Sequence, residues 1–117
     1  MKILIITHGQ FTIADKTLQS IGEHQVKVVS SEGEALAHLP HADILLCFDS
    51  NYSDIFLEIG MNLKWIHCLS AGVDVMLTEK MLASDVLLTN SSGVHSIPIS
   101  EHVLGLMIAL ARNFPQS

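Results

Sequence analysis

The chain has few cysteines and no cluster of positive charge, and these two features exclude several classes of protein. Only two cysteines occur in 117 residues, too few for a disulfide framework, so a reducing compartment is expected. Six basic residues stand against 12 acidic ones, which gives a net charge of −6 with the histidines neutral. Nucleic acids and anionic membrane surfaces are therefore not expected as partners.

Long hydrophobic runs are also lacking. The longest apolar stretch, residues 103–111, contains Gly105 and is well short of the roughly 20 residues that span a bilayer. Only four apolar residues separate Lys2 from Thr7, which does not match a signal peptide. Because 49% of the residues are apolar and only 15% are charged, the chain can bury a core. We expect a soluble, cytoplasmic, single-domain chain.

Five short apolar runs, each followed by turn residues, predict five strands. They occupy residues 2–6, 26–29, 42–48, 63–69 and 86–89, and the first, third and fifth are apolar on both faces. The segments 13–21, 32–39, 53–60 and 78–82 between them are predicted to be helices. In the third helix, Ile55, Phe56 and Ile59 are expected to face the core. This alternation predicts an α/β fold with a doubly wound, parallel, flavodoxin-like sheet of order 2-1-3-4-5.

The C-terminal segment is predicted to form a long apolar helix that starts near Ser96 and Pro98. Almost every position from 103 to 111 is apolar, and a helix that is apolar all round must be covered all round. A terminal helix can offer only one face to its own sheet. The other face is therefore expected to be covered by a second subunit or by a further part of the same polypeptide. We expect a homodimer, with contacts made by Val103, Leu106, Met107 and Leu110.

Candidate functional residues follow the strands, because ligands of open parallel sheets bind outside the carboxyl ends of the strands. Ser70, Ala71 and Gly72 could turn successive N–H groups toward a carboxylate or a phosphate. On the residues alone, the alternative that Gly72 and Gly93 are ordinary turn glycines stays open.

Several chemistry-bearing motifs are missing from the sequence. It contains no G-x-G-x-x-G, no G-x-x-x-x-G-K-[ST] and no G-x-S-x-G. Neighbours on a strand point to opposite faces, so His67 and Cys68 cannot form a catalytic dyad. Asp49 lacks the acidic companions that a phosphoacceptor domain needs. Residues 7–12 form only a weak version of a flavin phosphate loop.

Two stretches resemble the D-isomer-specific 2-hydroxyacid dehydrogenases. Residues 63–74 read L-K-W-I-H-C-L-S-A-G-V-D, similar to that family's substrate-carboxylate loop. Residues 86–112 read V-L-L-T-N-S-S-G-V-H-S-I-P-I-S-E-H-V-L-G-L-M-I-A-L-A-R, similar to its last substrate-domain strand and the following helix. The resemblance covers essentially the whole chain and identifies it as the substrate-binding (catalytic) domain, residues 1–117.

The resemblance implies a set of site residues, none of them catalytic. Backbone amides of the 70–73 loop would hold the substrate carboxylate, and the 50–52 loop would border the substrate. The residues concerned are Ser70, Ala71, Gly72, Val73, Ser50, Asn51 and Tyr52. Four residues would lie near the cofactor: Ala71, His95, Ser96 and Glu101. Many relatives carry asparagine where this sequence has His95.

The resemblance also implies NAD or NADP as cofactor, bound mainly by a Rossmann domain that is absent from these residues. The family's catalytic arginine, glutamate and histidine would lie outside the chain as well, so we expect it to be inactive alone. No metal site is expected. The alternative is a non-catalytic, flavodoxin-like binding or dimerisation module.

Overall fold

The computed structural model describes residues 2–13, 25–70, 72–91 and 105. Five parallel strands form one sheet: β1 (Lys2–Ile6), β2 (Gln25–Val29), β3 (Ile44–Cys47), β4 (Trp65–Cys68) and β5 (Leu87–Asn90). The strand order is β2-β1-β3-β4-β5. The predicted flavodoxin-like sheet order is confirmed.

Continuous apolar strands explain why the sheet has a core on each face. In β1 and β3 every residue from Ile3 and from Ile44 onward is buried. Alternate side chains enter opposite cores. One core, around Leu4, Leu45 and Ile66, is covered by the described helices. The other, around Ile5 and Leu46, contacts Phe11 and Trp65.

Three short α-helices cover the first core. α1 (Glu32–Ala35) begins where Ser31 Oγ accepts a hydrogen bond from the Glu34 N–H, and α3 (Glu79–Ala83) begins with the corresponding contact between Thr78 and Met81. The predicted helix 32–39 is shorter than expected, because α1 ends at Ala35 and Pro40 lies in a separate 3₁₀ turn, Leu39–His41. A second 3₁₀ turn spans Asp74–Met76. Within the described ranges no helix is long and apolar enough to cross a membrane.

The helix α2 (Ser53–Ile59) departs in one respect from the prediction. Phe56 is fully buried and Ile59 packs against the core, but Ile55 is 39% exposed. Leu57 packs inward instead, because the buried face runs through positions 53, 56 and 57. The prediction for Ile55 is therefore wrong.

Gly60 ends α2 for steric reasons. Its φ is −82°, a value that any residue can adopt. A Cβ at this position would lie 2.7 Å from the Phe56 carbonyl oxygen and 2.5 Å from Leu63 Cδ1, which is closer than real contacts allow. The position therefore needs glycine for space and not for its backbone angles.

The fifth strand is more exposed than its sequence indicates. Leu87 is 56% exposed, and the other three residues of β5 are half-buried. The physical reason is its position at the edge of the sheet. The predicted helices 13–21 and 96–111 fall almost entirely outside the described residues. In the second only Gly105 is described, with helical backbone.

Candidate functional site

The turn after β1 brings His8 toward the neighbouring strands. Its φ of +54° lies in the left-handed region, as does the +71° of Gly9. Such a value is uncommon for a residue with a side chain. Thr7 holds the turn: its N–H donates to the Val29 carbonyl at 2.9 Å, and its hydroxyl accepts from the Gly9 N–H at 3.3 Å. The His8 ring consequently packs edge-on against Phe48, with centroids 5.5 Å apart.

Glu32 connects this turn with the 50–52 loop. His8 Nε2 lies 3.3 Å from Glu32 Oε1, an ion-pair distance when the ring is protonated, although the direction is not that of a hydrogen bond. Ser50 donates its hydroxyl to the same carboxylate oxygen at 3.3 Å and accepts from the Tyr52 N–H at 3.1 Å. Ser50 is 6% exposed, whereas Tyr52 is 41% exposed. The 50–52 loop is therefore held from within by Ser50, and Asn51 and Tyr52 face outward.

Ser70 joins the loops after β3, β4 and β5. Its Oγ accepts a hydrogen bond from the Asp49 N–H at 3.0 Å, and its carbonyl accepts from the Ser91 N–H at 3.3 Å. The Leu69 N–H donates to the Cys47 carbonyl at 2.6 Å and extends the pairing of β3 and β4 up to this point. These contacts place Ser70 beside Asp49, the residue that leads into the 50–52 loop, at the carboxyl edge.

The 70–73 loop has free donors. Within the described part of the chain, the backbone N–H groups of Gly72 and Val73 donate no hydrogen bond. Gly72 is exposed, and a Cβ built on it would meet nothing within 4 Å. Its carbonyl accepts a weak contact from Cys68 Sγ at 3.5 Å, so the loop is held from the carbonyl side. Two successive uncommitted amides, the first at an exposed glycine, form an arrangement that suits an anion.

Three buried polar atoms lack a hydrogen-bond partner among the described residues: His8 Nε2, Asp49 Oδ1 and Ser53 Oγ. All three belong to the segments that follow β1 and β3. These neighbouring strands mark the point where the strand order reverses. Buried polar groups without partners are uncommon and call for an explanation.

A buried histidine lies one strand away from these loops, and sequence reasoning missed it. His67 is 5% exposed, and its Nδ1 lies 2.7 Å from Thr89 Oγ1 and its Nε2 3.1 Å from Ser91 Oγ. The indole of Trp65 donates to the same Thr89 oxygen at 2.7 Å. The only sequence signal was polar residues at alternate positions of both β4 and β5. The contacts tie the two strands together on the face opposite Cys68.

The two cysteines are poor nucleophiles. Cys47 and Cys68 lie side by side on β3 and β4 with no exposed surface. Burial raises the pKa of Cys47 well above its ordinary value of 9.0, and the neighbouring Cys68 adds to the effect. Below pH 9.0 the thiol is neutral in both folded and unfolded chains. Above it the unfolded chain ionises first, so this thiol makes the fold lose stability as the pH rises.

Among the described residues, potential metal ligands and surface clefts are the alternative candidates for a site. No group of three potential metal ligands occurs in the described ranges. A cleft of about 300 Å³ lies at the amino edge between Lys2, Lys27 and His38, the edge opposite to that where such sheets bind ligands. A groove of about 360 Å³ runs from Val73 to Asn90 beside β5 and borders the 70–73 loop.

Comparison with known proteins identifies the family. The model of the D-isomer specific 2-hydroxyacid dehydrogenase catalytic domain matches residues 3–110. The chain belongs to this family. It is 29% identical over 115 residues to the D-3-phosphoglycerate dehydrogenase of Methanocaldococcus jannaschii, covering 97% of this chain and 22% of that protein. The corresponding enzyme of Archaeoglobus fulgidus is 25% identical over 118 residues, covering 100% of this chain and 22% of the relative.

A solved structure supports the fold. A D-isomer specific 2-hydroxyacid dehydrogenase family protein from Aeromonas salmonicida subsp. salmonicida A449 superimposes with a TM-score of 0.64 at 23% identity. The match covers 97% of this chain and 36% of that protein. The chain spans about a fifth of the length of the curated relatives it matches.

The described loops do not fit the phosphates of a dinucleotide. The turn after β1 reads Thr7-His8-Gly9-Gln10 and lacks the glycine pattern that a pyrophosphate requires. Glu32 and Asp49 place negative charge beside it. The residues that the family resemblance assigns near the cofactor, Ala71, His95, Ser96 and Glu101, lie outside the described residues, as do the dimer contacts Val103, Leu106, Met107 and Leu110.

Proposed function

We propose that this chain is the substrate-binding domain of an NAD(P)-dependent oxidoreductase that interconverts D-2-hydroxy acids and 2-oxo acids. The observation that carries the proposal is the pair of uncommitted N–H groups at Gly72 and Val73, the first of them at an exposed glycine, at the carboxyl edge. These donors would hold the substrate carboxylate. Family membership supports this function over that of a non-catalytic binding module.

Hydrogen bonds in the 50–52 and 70–73 loops fix the orientation of the proposed carboxylate site. Ser70 fixes the start of the carboxylate loop against the Asp49 backbone, and Glu32 fixes the 50–52 loop through Ser50. Because neither contact uses the free donors, the site is preorganised before the acid arrives. The relatives are named for one acid, D-3-phosphoglycerate, whereas the proposal here is limited to the class of 2-hydroxy and 2-oxo acids.

The redox and proton-transfer steps are assigned to residues outside these 117. NAD or NADP, when bound, supplies the hydride acceptor or donor, and the proposal places it mainly on a further Rossmann domain. We expect the chain alone to give no turnover of 2-oxo acids with NADH. Homodimerisation and a cytoplasmic location belong to the same proposal.

Titration of the chain with 2-oxobutyrate, followed by amide NMR, tests carboxylate binding. We expect the largest shifts at Gly72 and Val73, because their N–H groups are the proposed donors. Ser70→Ala should weaken binding by removing the hydrogen bond that places the loop, while Ser84→Ala, a hydroxyl deletion at the far end of α3, should not. Shifts spread evenly over the surface would overturn the proposal in favour of the non-catalytic module.

A further inference from the structure

The acidic side chains described around the 50–52 and 70–73 loops place negative charge at the proposed site. Glu32 and the half-buried Asp49 lie directly at the 50–52 loop, and the exposed Asp74 follows the 70–73 loop. Each adds negative potential where the proposed substrate would bind. A carboxylate held only by uncharged backbone amides meets this field without compensation from a basic side chain of the described loops.

The lysines of the described ranges lie elsewhere. Lys2 begins β1 and Lys64 precedes β4, both at the amino edge. Lys27 lines the amino-edge cleft, and Lys80 pairs with Glu58 at 2.8 Å. None of the four follows the carboxyl end of a strand, so a second negative charge on a ligand has no described cation to meet.

The negative charge of Asp49 has fewer polar partners among the described residues than that of Glu32. Glu32 has the Ser50 hydroxyl and the His8 ring within 3.3 Å. Oδ1 of Asp49, by contrast, is buried and has no hydrogen-bond partner among the described residues. Its backbone N–H donates to Ser70 Oγ at 3.0 Å, which places the Asp49 backbone next to the loop that is proposed to hold the substrate.

We propose that Asp49 is a specificity-determining residue that selects 2-oxo and 2-hydroxy acids with a single negative charge over acids that carry a second carboxylate or a phosphate. The inference rests on the proposed function, because it assumes that the 70–73 loop holds the first carboxylate. The second anionic group would then lie near a carboxylate that no described cation neutralises. A neutral substituent of the same length escapes this repulsion.

The expected discrimination follows from Coulomb's law. Like charges near a protein surface repel each other, and the repulsion grows as the effective dielectric constant falls below that of water. We expect it to raise the dissociation constant of the doubly charged acid by roughly 3- to 50-fold. Discrimination of at least about threefold is therefore expected, and it should shrink as added salt screens the charges.

The test uses the whole chain and a matched pair of acids, 2-oxovalerate and 2-oxoglutarate, which share a five-carbon chain and differ in a terminal methyl or carboxylate. Amide NMR titrations at about pH 8, above the range where histidine normally titrates, give both dissociation constants. We expect 2-oxovalerate to bind at least about threefold more tightly. Asp49→Asn should tighten binding of 2-oxoglutarate and leave that of 2-oxovalerate nearly unchanged.

Asp85→Asn is the matched control, because it removes the same charge from an exposed residue before β5, at the amino edge. It should leave the ratio of the two constants unchanged. If Asp49→Asn does not fold, Asp49→Ser makes the same comparison. In the unaltered chain the ratio should fall toward one as salt rises from about 20 mM to 0.5 M.

The outcomes separate this inference from the proposed function. Equal affinity for both acids in the unaltered chain, or a ratio that Asp49→Asn leaves intact, overturns the role of Asp49 while carboxylate binding stands. If neither acid shifts the amides of residues 70–74, the proposed function fails, and the inference fails with it.

Discussion

The Thr89 hydroxyl joins β4 to β5, and its removal tests how much this polar contact stabilises the sheet. Trp65 Nε1 donates to Thr89 Oγ1 at 2.7 Å, and His67 Nδ1 lies at the same distance from that oxygen. Thr89→Val keeps the shape of the side chain and deletes the oxygen. Both ring nitrogens then lose a hydrogen-bond partner.

The size of the effect follows from this loss. A buried polar group deprived of its partner costs about 1–3 kcal/mol. Thr89 and Trp65 are only half-buried, so the lower part of that range applies to each contact, and we expect a total loss of about 2–3 kcal/mol in the free energy of unfolding. With a urea m-value of about 1.5 kcal/mol/M, the midpoint falls by about 1.3–2 M.

Urea denaturation followed by fluorescence and far-ultraviolet circular dichroism measures the change. Trp65 is the only tryptophan in the chain, so its emission reports on this contact. Thr89→Ser keeps the hydroxyl and should recover most of the stability. Thr12→Val makes the same substitution at an exposed site and should change stability by less than about 0.5 kcal/mol. A midpoint for Thr89→Val no lower than that for Thr12→Val would refute the reasoning.

Three further predictions concern the core, the thiols and the C-terminal segment. Phe56→Ala should lower the free energy of unfolding by about 3–5 kcal/mol, because it leaves a cavity under α2. Leu82→Ala, at a side chain that is 71% exposed, should lower it far less. Calorimetric melting compares the two variants, and similar losses would contradict the assigned burial. Above pH 9.0 the free energy of unfolding of the unaltered chain should fall by up to about 1.4 kcal/mol per pH unit relative to that of Cys47→Ala. Urea denaturation at about pH 8 and 10 measures the difference. Parallel pH profiles for the two proteins would count against a buried thiol. Replacing Leu106 and Leu110 with glutamate should convert the proposed dimer into a monomer, and an unchanged sedimentation profile would argue against that interface.

The sheet could be predicted from the sequence because its signal is local. β1 and β3 are continuous apolar runs, typical of strands covered on both faces, and turn residues end each of them. Two helix starts were also local: Ser31 and Thr78 cap the observed helices at the starts of the predicted segments 32–39 and 78–82. Ile55 was misplaced because neighbouring positions on a helix differ by about 100° in direction, and an error of one position moves a side chain out of the core.

The parts of the site that were missed depend on contacts between distant residues. Glu32 reaches His8 across 24 positions, and His67 reaches Thr89 across 22, distances over which sequence periodicity carries no information. Ser70 was predicted as a site residue from the pattern of its own loop, and its role stays a prediction. Its bond to Asp49, which links the two predicted loops, emerges only from the pairing of β3 with β4.

The crowding at Gly60 limits how this protein can vary. The obstacle to a side chain there includes the backbone oxygen of Phe56, which cannot swing aside as the end of a leucine can. A smaller residue in place of Leu63 would therefore remove the clash with the Leu63 side chain but not the clash with the Phe56 carbonyl oxygen. We therefore expect relatives with a larger residue at this position to finish the helix at a different point, so that the length of the helix-to-strand connection and the residue at its start change together across the family.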